Sequence, residues 1–181
     1  HSILVARLTE RVASAYRPPS GSEYLAGLLH DCGKLVLEHY FPEDFDSIII
    51  RATERACGHV LVEREFLGVT HAQIGAAVCE CLQAHLEVIR AVWHHHDPFN
   101  TSLEGQPDNS KFLAACVSVA DALTNYKQLN IFGARIMDYE QPFDDLPEWQ
   151  FLAQYQMSYG LELDLDLELE KAREDLKSFG M

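Results

Sequence analysis

The chain has 181 residues, 48% of them hydrophobic, which is one domain or slightly more, with enough apolar content to build a core without staples. Extended disorder is excluded. With 28 acidic residues against 14 basic ones the net charge is −14, a surface that repels a phosphate backbone, so nucleic acid is not an expected partner.

Apolar spacing is helical almost throughout. Leu4, Leu8, Val12 and Ala15 form one stripe over residues 3–16, which the prolines and glycine of Arg17 to Ser22 end. Ser20 and Glu23 have capping-box spacing and open a helix that reaches His30 and Asp31. Gly33 permits a bend, a further helix runs from Lys34 to Phe41, and Pro42 suits the first turn of another that continues to Ala56 and stops at Gly58. His59 to Leu67 reads as a short helix closed by Gly68.

Thr70 and Gln73 form a second capping box, which puts His71 at the first helical position of a segment running through Cys81. Another helix, 86–96, packs Ile89, Val92 and Trp93 and ends in His94, His95 and His96 before Asp97-Pro98. Residues 98–110 are a loop. Ser110 to Asn130 is a long buried helix with Asp121 on or beside its apolar face, and 137–149 is irregular. Residues 161–170 alternate as a strand would, yet Leu165, Leu169, Ala172 and Leu176 also fit a helical stripe. Acids cluster at its start and Lys171, Arg173 and Lys177 near its end, so a helix is the better reading. The expectation is an all-α bundle of eight or nine helices, with residues 1–130 as the main unit and 131–181 as an acidic extension whose terminal helix packs on it. Between Arg135 and Lys171 there are ten acids and no base.

No apolar run approaches the roughly 20 residues that span a bilayer, and the first residues lack a signal-peptide layout. A soluble cytoplasmic protein is expected, with no membrane partner. The five cysteines are odd in number and read as thiols in a reducing compartment, with Cys79 and Cys81 as core packing rather than a zinc knuckle.

Chemistry concentrates in His1, His30, Asp31, His71, His95, His96 and Asp121, each at a helix end or on an apolar face. Buried imidazoles and carboxylates need compensation, and a metal ion supplies it. Imidazole with carboxylate suits iron, manganese, nickel or zinc. His94 reads as an outer residue, and His39, His59 and His85 as ordinary surface or partly packed histidines.

The string Gly27-Leu-Leu-His-Asp-Cys-Gly-Lys34 resembles the signature of the HD superfamily of metal-dependent phosphohydrolases. The ligand order that this resemblance implies is His1, His30 with Asp31, His71, His95 with His96, and Asp121. More narrowly, residues 25–37, 67–75, 95–98 and 119–122 look like the HDOD branch, the HD-related output domains of bacterial signalling proteins. The resemblance covers about residues 1–130 and fades beyond. It implies one or two divalent ions, with Asp31 bridging, His1, His30 and Asp121 toward one, and His71, His95 and His96 toward the other. Asp31 and Lys34 would be the catalytic pair of a hydrolase.

The resemblance leaves two functions open. One is a regulatory output domain, as in response regulators, whose partners are other signalling domains such as a receiver in the same chain. The other is a metal-dependent phosphohydrolase or phosphodiesterase acting on a small phosphate-containing molecule such as a nucleotide. The His-His pair is followed by Asp97-Pro98-Phe99 rather than the Gly-Tyr-Pro of HD-GYP phosphodiesterases, so cyclic dinucleotide hydrolysis is not implied. HDOD modules usually begin with another helical half, so these residues are expected to correspond to a C-terminal half.

Overall fold

A computed structural model describes residues 1–99, 108–126, 146–160 and 164–178. Among them are ten helices and no strand: α1 (Ser2–Ser14), α2 (Ser22–Leu29), α3 (Cys32–Tyr40), α4 (Pro42–Glu54), α5 (His59–Leu67), α6 (His71–Cys81), α7 (Leu86–His94), α8 (Asp108–Tyr126), α9 (Pro147–Leu152) and α10 (Leu165–Ser178). Of the loop expected over 98–110, residues 100–107 lie outside the described residues and 108–110 are instead the start of α8; most of the expected irregular strip also lies outside the described residues. Within that strip, α9 is a short helix that begins on Pro147.

The α1 stripe of Leu4, Leu8 and Val12 is buried against Phe112, Cys116, Val119 and Leu123 of α8, and Leu152 of α9 and Ala172 of α10 close the same core. A second core joins α2, α6, α7 and α8 through Ala26, Ala76, Val88, Val92, Leu113 and Val117. A third and much smaller one, Ile48, Ala52 and Val62 with Cys57 and Leu67 alongside, holds α4 to α5. Of the five free thiols Cys79 and Cys116 are buried, while Cys81 is exposed rather than part of a core.

Two glycines set helix crossings. A Cβ on Gly27 would lie 2.6 Å from Ala6 Cα, and one on Gly33 would lie 1.9 Å from the carbonyl oxygen of His71. Gly33 is therefore not a hinge. It lies inside α3, where the missing side chain lets α3 press onto the first turn of α6.

The two capping boxes fare differently. At α6, Gln73 N–H donates to Thr70 Oγ1 (3.3 Å) and Thr70 N–H to Gln73 Oε1 (2.9 Å). At α2 the helix starts at Ser22, with Gly21 as N-cap in the left-handed region. There the buried Glu23 carboxylate accepts from Ser20 N–H (2.8 Å), Ser20 Oγ–H (2.9 Å) and Gly21 N–H (3.1 Å). Ser20 Oγ thus donates to Glu23 and accepts from Ser22 N–H (3.3 Å) rather than from the Glu23 amide that a box would use. No described helix is long and apolar enough to cross a membrane.

Candidate metal centre

Helix ends deliver most of the site. His30 caps the C-terminus of α2 and Asp31 is the N-cap of α3, so the tight α2–α3 junction turns both inward. His1 precedes α1, His71 opens α6 behind its capping box, and His95 caps α7 with His96 following. Asp121 comes from the middle of α8.

These seven side chains fall into two groups whose ligand-type atoms lie within 4.8 Å of one another: Asp31, His71, His95 and His96, and His1, His30 and Asp121. Asp31 faces both. Its Oδ1 is 3.1 Å from His71 Nε2 and 3.8 Å from His95 Nε2, while its Oδ2 is 3.4 Å from His30 Nε2 and 3.8 Å from His1 Nε2. Asp121 Oδ1 lies 3.2 Å from His1 Nε2 and 3.7 Å from His30 Nε2. All seven positions singled out in the sequence thus come together. Lys34 is buried beside them and donates to Asp31 Oδ2 at 2.6 Å.

Three rings are held by their far nitrogens. His30 Nδ1–H donates to Gly27 O (2.8 Å), His95 Nδ1–H to Val92 O (2.7 Å), and His71 Nδ1–H to the carboxylate of Glu63 (2.7 Å). Bonded through Nδ1, each ring leaves its Nε2 facing the centre, where it would offer a lone pair to a cation once any proton on it is displaced. His71 Nε2 also faces His96 Nε2 at 2.9 Å. Buried His95 Nε2, Asp31 Oδ1 and His1 Nδ1 have no hydrogen-bond partner. Converging lone pairs and orphaned acceptors in a buried site are the arrangement a cation satisfies. The residues fit a divalent metal.

Electrostatics divides the imidazoles. Burial alone would lower His30, but the Asp31 and Asp121 carboxylates outweigh it and raise it to about 10. Burial and then the His30 charge drive His95 down to about 3. Burial would raise the Asp31 carboxyl, yet Lys34 and His30 hold it well below the usual carboxylate range.

Two residues escaped the sequence reading. Glu63, fully buried, accepts from both the ring and the backbone N–H of His71. His59, 4% exposed, lines a cavity of about 360 Å³ at the mouth of the cluster and has no partner on either ring nitrogen. Burial, then Lys34, lowers it to about 4. Their i, i+4 spacing on the same helix face as buried Val62 was the available signal. His94 is buried rather than outward, whereas His39 and His85 are exposed.

The family model of the HDOD domain matches residues 1–98. Over 125 residues, 68% of this chain, the sequence is 32% identical to ribonuclease Y of Thermus thermophilus, of which that stretch is 16%. The chain thus spans less than a quarter of the curated relatives it matches. Among solved structures, it resembles an HDOD domain protein from Geobacter sulfurreducens (TM-score 0.68, 21% identity, 98% of this chain and 58% of that one). It also resembles a protein from Marinobacter aquaeolei assigned to signal transduction (TM-score 0.65, 25% identity, 97% of this chain and 35% of that one).

Proposed function

The chain belongs to the HDOD family, and from that premise we propose that it is a regulatory output domain of bacterial signal transduction that holds one or two divalent transition-metal ions. The observation that carries this is the placement of Asp31, with one carboxylate oxygen toward His71 and His95 and the other toward His1 and His30. His30, His95 and His71, fixed by Gly27, Val92 and Glu63, would be ligands, with His1, His96 and Asp121 completing the two sets. Iron, manganese, nickel and zinc all suit such donors. The domain would act in the cytoplasm on other signalling domains, a receiver in the same chain among them.

Elemental analysis of protein purified without added metal tests the proposal. About one to two equivalents of transition metal are expected; less than about half an equivalent, with Asp31→Ala indistinguishable from the parent, would sink it.

A second reading, phosphohydrolysis, is supported by the cavity that opens onto the cluster beside Lys34. Paired ions there would activate a water and neutralise a phosphoryl oxygen. Asp31 would hold its place between the two histidine groups while Lys34, anchored on Asp31, would direct its ammonium to the substrate's phosphate. The assay is a panel of nucleotides, cyclic dinucleotides and a short RNA, comparing the parent with Asp31→Ala. RNA is included because one relative carries the name ribonuclease Y, although a net charge of −14 argues against a polynucleotide partner. Equal rates in the two proteins would leave the regulatory reading alone.

A further inference from the structure

Helix α5 begins at the mouth of the metal cluster with its N-terminus uncapped. Gly58 is its N-cap, no side chain bonds to the first amides, and no acidic residue occupies the first turn. Leu61 N–H already donates to Gly58 O (3.2 Å); the amides of His59 and Val60 before it have no intrahelical acceptor, and they carry the positive end of the helix dipole. That turn, Gly58 to Leu61, lines the cavity together with Arg64 one turn on and Lys34 from α3.

His59 is the second, independent observation. Its ring is 4% exposed, forms part of the cavity wall, and leaves both Nδ1 and Nε2 without a partner. An unpaired buried polar group is destabilising, and an apolar side chain of similar shape would serve the fold better. The ring is therefore explained by something that occupies the cavity and bonds to it. The Lys34 ammonium is taken up by Asp31, so the cations left to meet an occupant are the helix N-terminus and the Arg64 guanidinium, and an occupant facing them is an anion.

We propose that the first turn of α5, with His59 and Arg64, is a phosphate-binding subsite that seats the phosphate group of a small ligand against the metal cluster. It rests on the metal reading in one respect: bound cations offset Asp31 and Asp121, which would otherwise repel the ligand. The ligand is a mononucleotide-sized phosphate ester, since a cavity of about 360 Å³ is at the small end of those that enclose organic ligands.

Calorimetric titration of inorganic phosphate and of AMP into the metal-loaded chain tests this, with metal content measured in every sample. The parent binds both. His59→Leu weakens phosphate binding about tenfold or more with metal content unchanged, Arg64→Ala weakens it less, and His59→Gln, which keeps a donor, restores most of it. Without phosphate, His59→Leu melts at or above the parent's temperature, which a histidine serving the fold would not allow. A metal-loaded parent that binds no phosphate, or a His59→Leu chain that binds it equally, overturns the subsite. A chain that takes up no metal yet binds phosphate through His59 overturns the metal reading and leaves the subsite standing. A chain that does neither overturns both.

Discussion

Glu63 and His71 are locked together out of reach of solvent: one carboxylate accepts from the His71 ring at 2.7 Å and from the His71 backbone N–H at 2.8 Å. A ring held in this way cannot turn, and its Nε2 stays directed at Asp31. Burial would raise the Glu63 carboxyl, but these bonds from His71 hold it below its ordinary value. Glu63→Ala is expected to lower metal affinity about 10- to 100-fold, read by competition with a chelator, and Glu63→Gln less. Unchanged affinity in Glu63→Ala would show that His71 needs no orientation from α5.

Gly33→Ala places a methyl group 1.9 Å from His71 O and 2.8 Å from Gly75 N. Both are backbone atoms in helices, so neither yields cheaply. The expected loss is about 3 kcal/mol or more, a fall in Tm of roughly 6–12 °C for a chain of this size. A melting temperature within error of the parent would mean that α3 and α6 separate more easily than their packing indicates.

Asp31→Asn removes the charge that faces both histidine groups and leaves the buried Lys34 ammonium without its 2.6 Å partner. Metal content should fall below about half an equivalent, and the metal-free chain should lose about 3–5 kcal/mol, measured by urea unfolding. Because the penalty comes from a buried ammonium that has lost its 2.6 Å carboxylate, Asp31→Asn with Lys34→Met should recover stability but not metal.

The metal-free chain should be most stable near neutrality. His30 is raised from 6.5 to about 10, so above pH 6.5 the folded chain keeps a proton that the unfolded chain gives up, and stability falls toward pH 10. His95 and His59 are lowered to about 3 and about 4. Below pH 6.5 the unfolded chain binds protons that they refuse, and stability falls in that direction too. Metal must displace the His30 proton, so the rise in Tm on adding metal should grow between pH 6 and 8. An apo profile that is flat from pH 5 to 9 would contradict the charge arrangement around His30.

The seven convergent residues were legible because each stands at a position the chain marks locally. Thr70 and Gln73 announce the start of α6, and the apolar run into His94 announces the end of α7. Within the strand-like alternation, residues 165–170 are helical because Leu169 and Ala172 pack on the α1–α8 core, while Glu168 accepts from Arg7 and Lys171. What stayed hidden depends on contacts between elements. Ser20 and Glu23 have box spacing, but Arg17 also reaches the carboxylate of Glu23 and the helix starts one residue late. Glu63 and His59 look like any surface pair until Glu63 is seen to reach His71 at the start of α6. Six-residue α9 is too short to show a period.

The hairpin of α4 and α5 has its own small core of Ile48, Ala52 and Val62, and among the described residues α5 shares extensive contact with α4 alone. Its attachment to the bundle is thus decided by a few side chains rather than by the two large cores. Local opening energies follow such differences in burial. Amide hydrogens of α5 should exchange well before those of α1 and α8, and anything bound in the cavity should slow them. The hairpin is the part of this domain whose thermal motion reports on whether the site is filled.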